Sequence, residues 1–282
     1  MGTAKKNVPA KTEEPGALTN GAYDYGADAG AGFEGTKSSD LAIPFLNVMQ
    51  SNSPSVADGT HKNGDIVNSV TGQVWAGDKG VPFQPVHHEH KFVKWRPRDS
   101  GGGILGTYDP EDPYVAQTRK LNESAFGKLR TQDGNELIET HYVYGQVLNE
   151  DGSDSDGFAV MAFTSTKITP YRKWSTAMFL LKGKPPLFAN RARMVTVNDK
   201  NEKGQAFKNI EFKPLVGANW LNSLIPPATE AGRNLLEGAK NLREMILSGL
   251  AKADYSTQDT SGEAAPSGEN AKAGKPDGHV PF

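Results

Sequence analysis

Between residues 158 and 214 the spacing of apolar residues changes period twice, and that change limits the fold more than any other feature of the chain. Phe158 to Thr164 reads as a buried strand. Thr169-Pro170 then supplies a cap followed by proline at the first helical position, and Gly183 supplies a stop. Between them Tyr171, Trp174, Met178 and Leu181 fall at i, i+3, i+7 and i+10, which predicts a helix over 169–181 with one apolar stripe turned inward. Arg172 and Lys173 point elsewhere. Two extended runs follow, 187–198 and 205–214, joined by the polar loop Asp199-Lys200-Asn201-Glu202-Lys203-Gly204.

The residues before this stretch are mostly extended. Residues 81–95 form a long run whose start is confined to an edge or a bulge by Pro82 and Pro85. Residues 136–149 alternate well, 104–108 read as a short strand, and 128–131 pair with Leu137-Ile138 across Asp133-Gly134. Residues 64–69 and 73–76 flank a Thr71-Gly72 turn, and 110–122 read as a loop with at most one helical turn. The segment 41–50, broken by Pro44, is an edge element of undecided type. After Pro226-Pro227 a second helix runs from about Thr229 to Ala251, with Leu235, Ala239, Leu242 and Ile246 on one stripe and Trp220 packing beneath it. Strands, one capped helix, then two strands is the order of the OB-fold. The expectation is a mainly β protein with α: an OB-fold-like Greek-key barrel with a helix between strands, an extra C-terminal helix and disordered termini.

Composition places the boundaries. Thirty-one glycines and eighteen prolines are more than a packed domain needs, and residues 1–40 and 253–282 hold low-complexity stretches that cannot bury enough apolar surface to order themselves. The layout is a disordered arm (1–40), an OB-fold-like domain (41–226), a C-terminal helix packing on the core (227–252) and a disordered acidic tail (253–282). By segment the net charge is −2 for the arm, +3 for the middle and −3 for the tail. A mean hydropathy of −0.56, with no run near the roughly 18 apolar residues that span a bilayer, argues against a membrane span. No secretory signal is readable, and the absence of cysteine removes disulfides, thiolate nucleophiles and Cys-type metal sites. A cytoplasmic location is the expectation.

Residues 165–213 carry eleven Lys or Arg against Asp199, Glu202 and Glu211, a local balance of +8. Aromatics are interleaved with the charge, and a second basic-aromatic segment, Lys91-Phe92-Val93-Lys94-Trp95-Arg96-Pro97-Arg98, lies upstream. Single-stranded nucleic acid asks for that pairing, because phosphates need cations and unstacked bases need flat apolar faces. Lys91, Lys94, Arg96, Arg98, Arg172, Lys173, Arg191, Arg193 and Lys208 are the candidates for phosphate, and Phe92, Trp95, Tyr142 and Phe207 for bases. Tyr142 and Tyr144 share a strand face, which suits a stacking platform and equally one wall of a core. Tyr171 and Trp174 belong to the core-facing stripe.

Other chemistries find less support. No P-loop is present. In His87-His88-Glu89-His90 a strand places His88 and His90 on one face with His87 and Glu89 opposite, and no further ligand completes a metal site. Asp109, Glu111 and Asp112 sit in a Pro-rich loop without a matching acidic strand, so they read as surface rather than as a two-metal nuclease. The expectation is a protein that is not an enzyme and takes no metal or cofactor.

Phe163-Thr164-Ser165-Thr166-Lys167 with Arg172-Lys173-Trp174, then Pro185-Pro186-Leu187-Phe188-Ala189 and residues 201–209, resembles bacteriophage single-stranded-DNA-binding proteins over roughly a quarter of the chain. The terminus Asp277-Gly278-His279-Val280-Pro281-Phe282 is similar to the acidic tip of bacterial single-stranded-DNA-binding proteins, which closes in Ile-Pro-Phe. A single Asp precedes the tip here, with Gly278 and His279 where that family has acids. The resemblance implies a protein that coats single-stranded DNA in phage replication or recombination, in the host cytoplasm. It also implies recruitment of replication and repair proteins through Val280, Pro281 and Phe282, by capture of a terminal aromatic and carboxylate. Homo-oligomerisation stays open. The alternatives are a non-catalytic interaction or anti-defence factor and a metal-dependent nuclease.

Overall fold

A computed structural model describes residues 31–36, 42–97, 100–122, 128–201, 204–253, 255 and 258. The chain divides into two units, 1–41 and 42–282. In the second, the strands are β1 (Ala42–Ile43), β2 (Leu46–Val48), β3 (Ile66–Asn68), β4 (Val74–Trp75), β5 (Val81–Trp95), β6 (Ile104–Tyr108), β7 (Lys128–Arg130), β8 (Glu136–Leu148), β9 (Ser155–Thr164), β10 (Ala192–Lys200), β11 (Ala206–Pro214) and β12 (Lys252–Ala253). The helices are α1 (Pro54–Ala57), α2 (Pro113–Leu121), α3 (Ile168–Phe179) and α4 (Glu230–Leu247).

β5 and β8 form a long antiparallel ribbon that organises everything else. At one end β9 adds to β8 and β10 returns to the outer edge of β5, with β11 beyond it, giving the spatial order β11-β10-β5-β8-β9. Three antiparallel strands with a fourth lying beside the first is a Greek key. At the other end β6 and β7 extend the ribbon instead. The ribbon changes register between Pro85 and His87, as the prolines require, since neither can donate to a ladder. Gly145 lies opposite Pro85, and a Cβ there would meet the Gln84 carbonyl oxygen at 2.2 Å and the Phe83 ring at 2.5 Å, so glycine is what lets the strands close.

The sheet is open where an OB-fold-like Greek-key barrel was expected: no ladder joins β9 to β11 among the described residues. The small sheet β2-β3-β4 spans the gap. Phe45 bridges Val160 of β9, while at the far side the buried Gln50 side chain pairs with the Lys208 backbone, donating to its carbonyl at 2.8 Å and accepting from its N–H at 2.9 Å.

Alternation along the ribbon makes two faces. One buries Phe83, Val143, Phe163, Met194 and Ile210 beneath Tyr171, Trp174 and Met178 of α3. The other buries Val86, Val93, Tyr142 and Tyr144 beneath Ala239, Leu242 and Ile246 of α4. Thr229 caps α4, accepting from the Gly232 N–H at 3.0 Å.

Four expectations change in detail. α2 is a nine-residue helix where a loop with one turn was expected; Asp112 caps it by accepting from the Tyr114 N–H at 2.8 Å, ahead of Pro113. α3 begins at Ile168 after a 3-10 turn at Ser165–Lys167, so Thr169 lies inside the helix and does not cap it. The strand expected from 187 is a 3-10 turn, Leu187–Ala189, before β10 begins. Trp220 packs on the α3 side of the sheet rather than under α4. The arm's residues 1–30 and the tail beyond 258 lie outside the described residues.

Candidate functional site

The ring candidates of the upstream segment are interior. Phe92 packs with Val115, Leu129 and Leu137 under α2, while Trp95 and Tyr142 belong to the core under α4. Their faces are sealed, so the role of base stacking assigned to Phe92, Trp95 and Tyr142 is corrected. The reason is pleat geometry: in a strand the neighbours of a residue point to the opposite face, so Lys94 and Arg96 flank Trp95 in sequence but not in space. Phe207, at the start of β11, remains half-exposed.

The cations divide similarly. Arg191 is buried and donates to the carbonyls of Gly152, Leu224 and Ser223 at 2.9, 3.2 and 3.3 Å. Burial lowers its pKa, and its work is to tie the Gly152 loop and the Ser223–Leu224 segment to the start of β10, which corrects its assignment to phosphate. Lys91 pairs with Asp109 and Lys94 with Asp133, each at 2.6 Å, and Arg193 pairs with Glu150 at 2.9 Å. The bonds to Asp109 and Asp133 raise the pKa of both lysines. Exposed pairs of this kind contribute little to stability and are screened by salt. Arg96 and Lys173 are exposed, Lys208 is half-exposed, and Arg98 and Val280-Pro281-Phe282 lie outside the described residues.

One surface does combine cations with a ring. The outward side of α3 carries Arg172, Lys173, Thr176 and Phe179, continuing into Leu180, Lys182 and Lys184. Phe179 is 70% exposed, and the Lys184 ammonium lies 5.5 Å from its ring centroid. Sequence reasoning missed Phe179, although it sits at i+7 from Arg172, on the same helical face. Among the described residues, Ser165 (φ 47°) and Lys184 (φ 45°) are the non-glycine residues in the left-handed region, and they flank this helix. The β10–β11 hairpin abuts it: Trp174 stacks on Phe212 at 4.4 Å, and the Asn209 side chain donates to the Thr166 carbonyl at 3.3 Å.

Beside Arg172 the sheet holds a stack of imidazoles. His88 and His90 share a face, as the strand reading required, and β8 supplies what the sequence did not reveal: His141 lies directly opposite His90 in register. The His90 and His141 rings stack at 4.3 Å, and Tyr171 covers His141 at 4.6 Å and His88 at 5.2 Å. His88 Nε2 and His141 Nδ1 are 3.0 Å apart and share a hydrogen bond. Glu139 Oε1 is the common target of His90 Nε2 at 3.2 Å, His141 Nε2 at 3.4 Å and the Arg172 guanidinium at 2.8 Å. Burial, reinforced by the neighbouring histidines, pushes His88 and His141 down to about 4, while burial lowers His90 against the opposing pull of Glu139. On the opposite face the Tyr144 hydroxyl donates to Glu89 at 3.2 Å. The pattern Glu139-x-His141 in an alternating strand, read beside His88-x-His90, was the signal that could have joined the two strands.

Fold and surface together define a mainly β protein on an open Greek key, with a cationic helix, α3, beside a half-buried imidazole cluster. A family model described as Pam3 phage gp34-like protein matches residues 12–252, and the chain belongs to that phage protein family. No curated protein and no solved structure matches the chain. No helix among the described residues is long and apolar enough to cross a membrane.

Proposed function

We propose that this phage protein is a non-catalytic single-stranded-DNA-binding protein that holds the strand along the outward side of α3 and the adjoining β10–β11 hairpin. The observation that carries the reading is the composition of that helical face: Arg172 and Lys173, then Phe179 with Lys184 beside it, all exposed on a helix whose other side is core. Arg172, Lys173 and Lys208 neutralise phosphate, while Phe179 and Phe207 offer faces to bases. Stacking accepts any base, so sequence preference is low and affinity falls steeply with salt. In this reading the protein acts in phage replication or recombination in the host cytoplasm, and its terminal Val280-Pro281-Phe282 engages replication or repair enzymes.

Titration of fluorescent oligo-dT and of the matching duplex at two salt concentrations tests the assignment. Tighter, salt-sensitive binding of the single strand is expected, and equal affinity for both forms would defeat it. Absence of any shift at low salt would favour a protein partner on the same face, where Phe179 and Leu180 form an exposed apolar pair.

A further inference from the structure

We propose that His90, Glu139 and His141 form a binding site for a divalent transition-metal ion of the zinc type, with water at the remaining coordination position. Each of the three offers one ligand atom, and these atoms all lie within 4.8 Å of one another. The spacings from Glu139 Oε1, 3.2 Å to His90 Nε2 and 3.4 Å to His141 Nε2, match the separation of about 3.4 Å between tetrahedral ligands whose bonds to zinc are about 2.0–2.2 Å long.

The second observation is an unmet need. Both Nε2 atoms are buried, yet neither has a hydrogen-bond partner of acceptable geometry, and the His141 residue is only 6% exposed. Buried polar atoms in proteins are ordinarily paired, and those that are not call for an explanation. Three donors converging on one oxygen cannot all be well aligned, whereas a cation placed among the three ligand atoms satisfies both imidazoles and the carboxylate at once. The surroundings fit as well. His141 has its other nitrogen held by His88, the outer-shell bond that fixes the ring and tautomer of metal-ligating histidines. Tyr171 clamps the same ring from above.

Two adjustments accompany loading. The His90 and His141 rings lie 16° from parallel, so their lone pairs run side by side and one ring must tilt toward the ion. His90 is the freer, with its side chain 31% exposed, and the same opening admits the water. Arg172, now on Oε1, moves to the other carboxylate oxygen, where it orients Glu139 from outside. Two imidazoles and one carboxylate favour zinc, cobalt or nickel over magnesium or calcium, which prefer all-oxygen shells.

The full chain, freed of metal by dialysis against a chelator, is titrated with Zn2+ and separately with Co2+ in competition with a chromophoric chelator. One equivalent of each is expected to bind, with visible Co2+ absorption of the intensity given by low coordination number, and Zn2+ should raise the melting temperature. His90→Gln and Glu139→Gln should each weaken binding by more than the roughly 10- to 100-fold that an outer-shell partner is worth, and His88→Leu by about that range. Circular dichroism confirms that each variant is folded. His87→Gln, on the other face of β5, should leave affinity unchanged. The site is refuted if the wild-type chain takes up neither ion, if binding survives in both His90→Gln and Glu139→Gln, or if His87→Gln loses it equally. Oligonucleotide affinity plays no part in these readouts, so they stand or fall independently of the DNA-binding reading.

Discussion

α3 and α4 lie on opposite faces of the same sheet and bury similar apolar stripes, but their outer sides differ. α4 opens by the local rules and is balanced outside: Thr229 caps it, Glu230 lies in its first turn, and its charges stand at three of each sign (Glu230, Glu237, Glu244 against Arg233, Lys240, Arg243). α3 has no side-chain cap, no acidic residue, two cations and an exposed Phe179, and it is bracketed by residues in strained backbone. Packing alone accounts for α4. A helix that departs from local rules without any gain in core is where function is to be sought.

The largest effect that would sharpen this contrast is on stability. Leu242→Ala, fully inside the α4 interface, should cost about 2–5 kcal/mol in denaturant unfolding while the folded fraction keeps its oligonucleotide affinity. Phe179→Ser should do the reverse, weakening oligo-dT binding by about 1–3 kcal/mol in a fluorescence titration with the melting temperature unmoved. Thr229→Ala should lower stability by about 0.5–2 kcal/mol through loss of the α4 cap, again without a binding phenotype. The smallest change is in a slope. Replacing Arg172 and Lys173 by Gln should flatten the dependence of log affinity on log salt by roughly 0.7 for each phosphate left without its cation. The matching pair on α4, Lys240→Gln with Arg243→Gln, should leave that slope alone; an equal flattening there would erase the distinction between the helices.

Most of the fold was legible because strands announce themselves locally. Val81–Trp95 and Ile104–Tyr108 follow the residue pattern to their ends, and the stripe Leu235, Ala239, Leu242 and Ile246 is buried as its spacing required. α2 was missed although Asp112-Pro113 is the same cap-then-proline signal that marked residues 169–170, because the acidic, Pro-rich surroundings read as loop. There the signal was truer than at Thr169, where the 3-10 turn absorbs the cap position. The candidate site was less legible. Basic residues adjacent to Trp95 suggested a shared surface, but adjacency along a strand means opposite faces, and the burial of Trp95 is set by α4, more than a hundred residues away. The imidazole cluster is a product of register: nothing local to His90 reveals that His141, 51 positions on, will stand beside it.

Gln50 carries a consequence of its own. The contact it makes with β11 has the hydrogen bonds of a ladder rung, but it is borne on a stem of rotatable bonds instead of on the main chain. A rung of a ladder is held by the placement of a strand; this one is held by the rotamer of a single buried side chain. The gap between β9 and β11 is therefore fastened at that point by a side chain, beside the Thr196 hydroxyl of β10, which donates to the Gly64 carbonyl at 2.9 Å.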